Sequence, residues 1–157
     1  DAGATALTIH GRYRSDMFGG SVDLAGLERL SGRSPVPVVA NGDVRTPEDG
    51  RRLMSLKGVT GVMVGRGALG NPWIFRRLSG GAASPAPGEL RSVVMKHLDL
   101  TLADGAGSGA VHSFRGHLIH YLKGFPGAAG LRDAAVRVNS REDVAELVET
   151  AERRVFG

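Results

Sequence analysis

The sequence predicts two architectures in series, an α/β segment over residues 1–80 and an all-α bundle over residues 81–157. Three observations predict it. Short apolar runs recur about every 25–30 residues with a helical pattern between them, the spacing of βαβ units in a parallel sheet. Each run is nearly all apolar rather than alternating, as expected of strands covered on both faces. A stretch rich in Gly, Ala, Ser and Pro, Ser79 to Gly88, then separates these runs from segments of purely helical spacing.

The first run, Ala4 to Ile9, reads as a buried strand ending at His10-Gly11-Arg12, and Tyr13 to Gly20 as a polar loop. Asp23 caps a helix with Leu24, Leu27 and Leu30 on one face. Pro35 and Pro37 bracket the entry to a second strand, Val36 to Ala40, which ends at Asn41-Gly42-Asp43. Thr46-Pro47-Glu48-Asp49 starts a helix with a capping hydroxyl, proline at the first position and acids in the first turn. It runs to about Lys57 with Leu53, Met54 and Leu56 inward. Gly58 ends it, and Val62 to Val64 form the third strand.

The chain is organised around Gly61 to Phe75, GVMVGRGALGNPWIF: a strand, glycines at 65, 67 and 70, then Asn71-Pro72 as a helix start. Backbone N–H groups, a helix N-terminus and Arg66 together suit a phosphate. Two identities compete. The G-x-G-x-x-G spacing fits a dinucleotide fold, but a second parallel strand with an acidic residue about 20 residues on is missing. Glu89 stands at a plausible distance but follows a linker. The other identity is the last strand of a (β/α)8 barrel, whose final loops hold ligand phosphates.

Beyond the linker, Leu90, Val93, Val94, Leu98 and Leu102 keep helical spacing until Asp104–Gly109. Phe114, Leu118, Tyr121 and Leu122 mark a second helix, stopped at Gly124-Phe125-Pro126-Gly127. A third covers about Ala128 to Val138. Ser140 caps a fourth, with Val144, Leu147, Val148 and Ala151 inward.

Composition narrows the function. With no cysteine, disulfides and thiolate metal sites are excluded. Histidines 97, 112, 117 and 120 have no metal-ligand spacing with carboxylates. No apolar run approaches the ~20 residues of a membrane span. The net charge of +4 is carried by residues 1–78, while residues 79–157 are neutral. The excess hints at an anionic partner. Polar residues gather after each strand: His10 and Arg12, then Asn41 and Asp43, then Arg66. In parallel α/β folds that edge binds ligands. Asn41, Gly42, Asp43, Gly65 and Arg66 are therefore phosphate-site candidates, and His10 a ligand contact. Arg12 and Arg14 read as solvated. Arg115, His117, His120 and Lys123 read as an exposed polar face of the second tail helix. Opening at DAGATALTIHG, without methionine and within a step of a strand, the chain is expected to be a piece of something longer.

Taken together, IHGRYR, VPVVANGDV, GVMVGRGALGNPWIF and FRGHLIHYLKGFPGAAGLR resemble the tRNA-dihydrouridine synthases, most closely the bacterial B-type branch. The resemblance implies the last three strands of an FMN-binding TIM barrel (residues 1–80) followed by a helical tRNA-binding domain (81–157). It implies a cytoplasmic enzyme that reduces uridine to 5,6-dihydrouridine in tRNA, with NADPH as reductant. Asn41, Gly42, Asp43, Gly65 and Arg66 would hold the FMN phosphate and ribityl chain, and His10 would approach the ring. Arg12, Arg14, Arg115, His117 and Lys123 become candidate RNA contacts. The family's catalytic cysteine belongs to the N-terminal barrel half, so no catalytic residue is expected here and the chain alone is expected to be inactive. That half would come from the same parent chain or a split subunit. The alternatives are a non-catalytic RNA-binding or split-subunit fragment, or another FMN-dependent TIM-barrel oxidoreductase.

Overall fold

A computed structural model describes residues 3–12, 20–82, 84–104 and 109–157. The chain divides into two units, Asp1–Ala68 with Pro72–Ala83, and Leu69–Asn71 with Ser84–Gly157. The main division falls inside the stretch rich in Gly, Ala, Ser and Pro.

The first unit is a three-stranded parallel sheet in the order β1 (Leu7–His10), β2 (Val38–Asn41), β3 (Val59–Met63). Between the strands run α1 (Leu24–Ser31) and α2 (Pro47–Met54), and α3 (Ile74–Leu78) follows β3. Ile9, Ala40 and Val62 stand in register across the sheet. They pack with Leu27, Val44 and Leu53 in one cluster. Strand alternation turns His10, Asn41 and Met63, the next row along, to the opposite face. That face carries no helix among the described residues, and Met63 is exposed on it. Strands expected to be covered on both faces are covered here on one.

The ladder between β2 and β3 slips by one residue. Val38 pairs with Val59 but Val39 pairs with Gly61, leaving Thr60 as the extra residue of a bulge. The Thr60 hydroxyl donates to the Val38 carbonyl at 3.1 Å, satisfying an acceptor beside the irregularity.

Both helices are capped as their sequences predict. Asp23 accepts from the Gly26 amide at 2.8 Å. Thr46 and Asp49 form a reciprocal capping box with Pro47 at the helix start. Two inward assignments are corrected. Leu30 and Met54 are exposed. The buried stripe of α1 passes through Leu27 to Ser31, one helical turn on, and Leu30 lies off it. The Ser31 hydroxyl donates to Leu27 O at 2.9 Å and to Lys57 O at 2.6 Å, tying α1 to the loop before β3. α2 ends at Met54 rather than near Lys57, so Leu53 and Leu56 alone turn to the core.

The second unit contains α4 (Glu89–Ala103), α5 (Ala110–Tyr121), α6 (Ala128–Ala135) and α7 (Arg141–Phe156). Leu98, Phe114, Leu118, Leu122, Val144 and Val148 are fully buried in its core, each such side chain worth about 1.5–3 kcal/mol. Leu147, expected inward, is only half-buried. Ser140 and Asp143 make a second reciprocal capping box. The Asn139 amide, then the Ser140 hydroxyl, hold the Asp143 carboxyl below its usual range. Arg141 grips Asp99 with two hydrogen bonds, 2.6 and 3.0 Å, linking α7 to α4.

Candidate functional site

Three loops leave the C-terminal ends of β1, β2 and β3 on the same edge of the sheet. They enclose a recess of about 280 Å³, lined by His10, Arg12, Asn41, Asp43, Arg45, Gly65, Arg66 and their neighbours. The sequence separates these residues by up to about 57 positions; parallel pairing in register brings them together.

The loop after β2 is the most constrained. Gly42 has φ +153°, and a Cβ there would stand 2.8 Å from Val22 Cγ2. Asp43 has φ +48°, a left-handed conformation that aspartate tolerates better than most residues. Together these turn the Asp43 carboxylate into the middle of the recess. Arg12, on the β1 loop, pairs with Asp43 Oδ2. Arg66, on the β3 loop, reaches Oδ1 at 3.4 Å, and Arg45 approaches the same oxygen at 3.8 Å. The hydrogen bond from Arg12, aided by the charges of Arg45 and Arg66, keeps the Asp43 carboxyl below its usual pKa despite partial burial. Three guanidiniums therefore meet one carboxylate, and the recess is positive.

His10 sits beside Asn41 in the register, and its Nδ1 lies 3.2 Å from the Asn41 carbonyl oxygen. A carbonyl only accepts, so Nδ1 donates, and in the neutral ring Nε2 is left as an acceptor. Gly65 differs from the other loop glycines. Its φ is not positive and a Cβ there would meet nothing within 4 Å. Packing within the chain does not require glycine at this position. A ligand brought close to the backbone would.

The sequence expectations meet this geometry unevenly. His10, Asn41, Asp43, Gly65 and Arg66 line one recess, with Gly42 shaping its middle loop. Arg12, read as solvated, is buried: its side chain is 6% exposed. Arg14 lies outside the described residues. Asn71 stands two residues before the cap position of α3. A 3-10 turn, Arg66–Ala68, follows Gly65, and α3 begins only at Ile74 with Trp73 at its cap position and no side-chain cap bond. The positive charge at this edge is carried by the arginines. Arg45 was missed. Nothing near it in sequence marks it; only the turn of the β2 loop carries it over Asp43.

The candidate RNA contacts in the second unit divide in the same way. Arg115 is not part of a free polar face. Its Nε and Nη2 donate to the Val138 carbonyl at 2.9 and 2.7 Å, and Nη2 also to Asn139 Oδ1 at 2.9 Å. His117 and Lys123 are exposed. Lys123 Nζ donates to His120 Nδ1 at 3.0 Å. The His117 ring lies 4.8 Å from that of His97, whose Nδ1 meets the Tyr121 hydroxyl at 3.2 Å. Burial, then the nearby His117, lowers the His97 pKa. Among the described residues no cluster of three or more His, Asp or Glu is arranged to hold a metal, and no helix is long and apolar enough to cross a membrane.

Comparison with known proteins places these features in a family. The model of the dihydrouridine synthase family matches residues 1–156. A probable tRNA-dihydrouridine synthase of Mycobacterium leprae is 34% identical over 149 residues, covering 90% of this chain and 39% of the relative. The tRNA-dihydrouridine synthase B of Pseudomonas putida is 35% identical over 148 residues, covering 90% of this chain and 43% of the relative. A probable tRNA-dihydrouridine synthase 1 of Synechocystis is 32% identical, covering 96% and 44%. The chain thus spans about two-fifths of the length of these relatives.

Proposed function

The chain belongs to the dihydrouridine synthase family, its relatives including synthases of the B-type branch, and on that premise we propose that it is the C-terminal part of an FMN-dependent enzyme forming 5,6-dihydrouridine in tRNA. The observation that carries this reading is the positive recess at the sheet's C-terminal edge.

The residues there fit a flavin mononucleotide. Arg66 supplies a charged donor for the phosphate, and Gly65 leaves its backbone open to close approach. Asn41, Gly42 and Asp43 form the loop suited to the ribityl chain, with Asp43 keeping the guanidiniums from repelling one another. His10, fixed by the Asn41 carbonyl, offers Nε2 at the ring end of the recess. FMN when bound, with NADPH as reductant, supplies the hydride for the uridine double bond. These residues bind and orient it.

We assign the three strands to the last part of a (β/α)8 barrel, the remaining strands coming from the same parent chain or a partner. The chain contains no cysteine, so the acid that protonates the reduced base belongs to that remainder, and the chain alone is inactive in this reading. The helical unit is the tRNA-contacting part, through His117 and Lys123. Arg12 is assigned to the recess rather than to RNA, and Arg115 to holding the loop at Val138 and Asn139. Titration of the intact protein with FMN, followed by visible absorbance and Trp73 fluorescence, tests the assignment. Stoichiometric binding with a flavin absorption band supports it; binding of tRNA with no flavin retained leaves only an RNA-binding module and refutes it.

A further inference from the structure

Arg45 occupies a position that the flavin reading does not by itself explain. Its backbone N–H donates to Asp49 Oδ2 at 3.1 Å, as part of the capping network that starts α2. The backbone is therefore anchored while the side chain extends from the loop over Asp43, 3.8 Å from Oδ1. It remains 66% exposed there, and Arg66 54% exposed, against 6% for Arg12. Arg12 is thus committed to Asp43, while Arg45 and Arg66 keep N–H groups turned to solvent and to the recess.

The charges around the recess can be counted. Arginine is protonated at any ordinary pH. Among the described lining residues Asp43 is the one carboxylate, and three arginines face it. The excess is two positive charges. A phosphomonoester carries close to two negative charges above its second pKa of about 6, whereas an unphosphorylated ribityl chain carries none. Without Arg45 the excess would fall to one.

We infer that Arg45 is a specificity-determining residue that matches this recess to a phosphomonoester dianion, favouring FMN over riboflavin. The inference rests on the flavin reading and adds to it a residue and a charge rule. Arg66 alone attracts an anion; Arg45 adds the second positive charge that a dianion meets.

The test is a set of equilibrium titrations of the intact protein with FMN and riboflavin at pH 7.5, on wild type, Arg45→Gln and Arg45→Lys. Loss of one charge-assisted hydrogen bond predicts that Arg45→Gln weakens FMN binding roughly tenfold or more. Riboflavin affinity stays within about twofold, so preference for FMN collapses. Arg45→Lys keeps the charge and restores part of it. An equal loss for both ligands would make Arg45 a structural residue and overturn the inference. So would unchanged FMN affinity in Arg45→Gln, while leaving the flavin site itself standing. Failure of wild type to bind FMN at all would remove the flavin reading and this inference with it.

Discussion

Replacing Arg12 tests whether the recess is held together by a buried ion pair. Its guanidinium is 6% exposed and its partner Asp43 is 24% exposed. Removing one member of a fully buried pair costs about 3–5 kcal/mol, because the other is left without compensation. Here Asp43 keeps Arg66 at 3.4 Å and Arg45 at 3.8 Å, and is partly solvated. The cost of Arg12→Met, which retains most of the buried stem, should therefore fall to about 2–3 kcal/mol. The loss has a pH signature. Asp43 has a folded-state pKa below its unfolded value of 3.8, chiefly through Arg12. Its stabilising contribution is then complete above that unfolded value and is lost as pH falls through the lower, folded one. Urea unfolding of the intact protein, followed at Trp73, should show the deficit at pH 7. Wild type and variant should converge as the pH is lowered below 3.8. A deficit under ~0.5 kcal/mol at pH 7, or one that stays constant into acid, would refute the buried-pair argument.

Gly65→Ala should leave the fold intact or raise its stability by about 0.4–1 kcal/mol, since no atom opposes the new methyl; FMN titration should nevertheless weaken, and unaltered flavin affinity would mean that no ligand approaches this backbone. In the helical unit the lowered His97 pKa favours the neutral ring, so stability should be full above about pH 6.5 and decline as pH falls below it, His120 adding the same sign. Thermal melts should show that decline flattened in His97→Phe. Arg115→Gln should cost about 1.5–3 kcal/mol in denaturant by releasing the Val138 carbonyl. Lys123→Gln should leave stability within ~0.5 kcal/mol and reduce the salt slope of tRNA binding by about one; the reverse pattern would exchange their roles.

Much of the fold is legible because its signals are local. Thr46 with Asp49, and Ser140 with Asp143, are readable as caps because both partners stand within three residues of one another. The strands are readable from apolar runs, although their bounds shift toward the C-terminus in β1 and β2. Ser31 was not readable: a serine at the end of a helix gives no sign that it will bond to Lys57 across the unit. The site divides similarly. Asn41-Gly42-Asp43 and Gly65-Arg66 carry recognisable turn and strand-end chemistry. Arg12 and Arg45 resemble any surface arginines until the register brings the first, and the turn of the β2 loop the second, against Asp43. The helix marked by Asn71-Pro72 starts two residues later, at Ile74, and the glycine stretch first makes a 3-10 turn, which local propensity does not distinguish from loop.

The bulge at Thr60 gives β3 one residue more than β2 between the same paired positions. Deleting Thr60 would leave Val59 opposite Val38 and Gly61, Val62 and Met63 opposite Val39, Ala40 and Asn41, a regular ladder in which Val62 keeps its place in the core. The third strand thus holds a spare residue on the side away from the recess. Beyond Met63 there is none. Each strand residue advances the chain by about 3.3 Å, nearly the whole 3.4 Å reach between Arg66 and Asp43. Loss of Val64 would therefore draw Gly65 and Arg66 back from the recess, while loss of Thr60 would leave the third loop at its height beside the second.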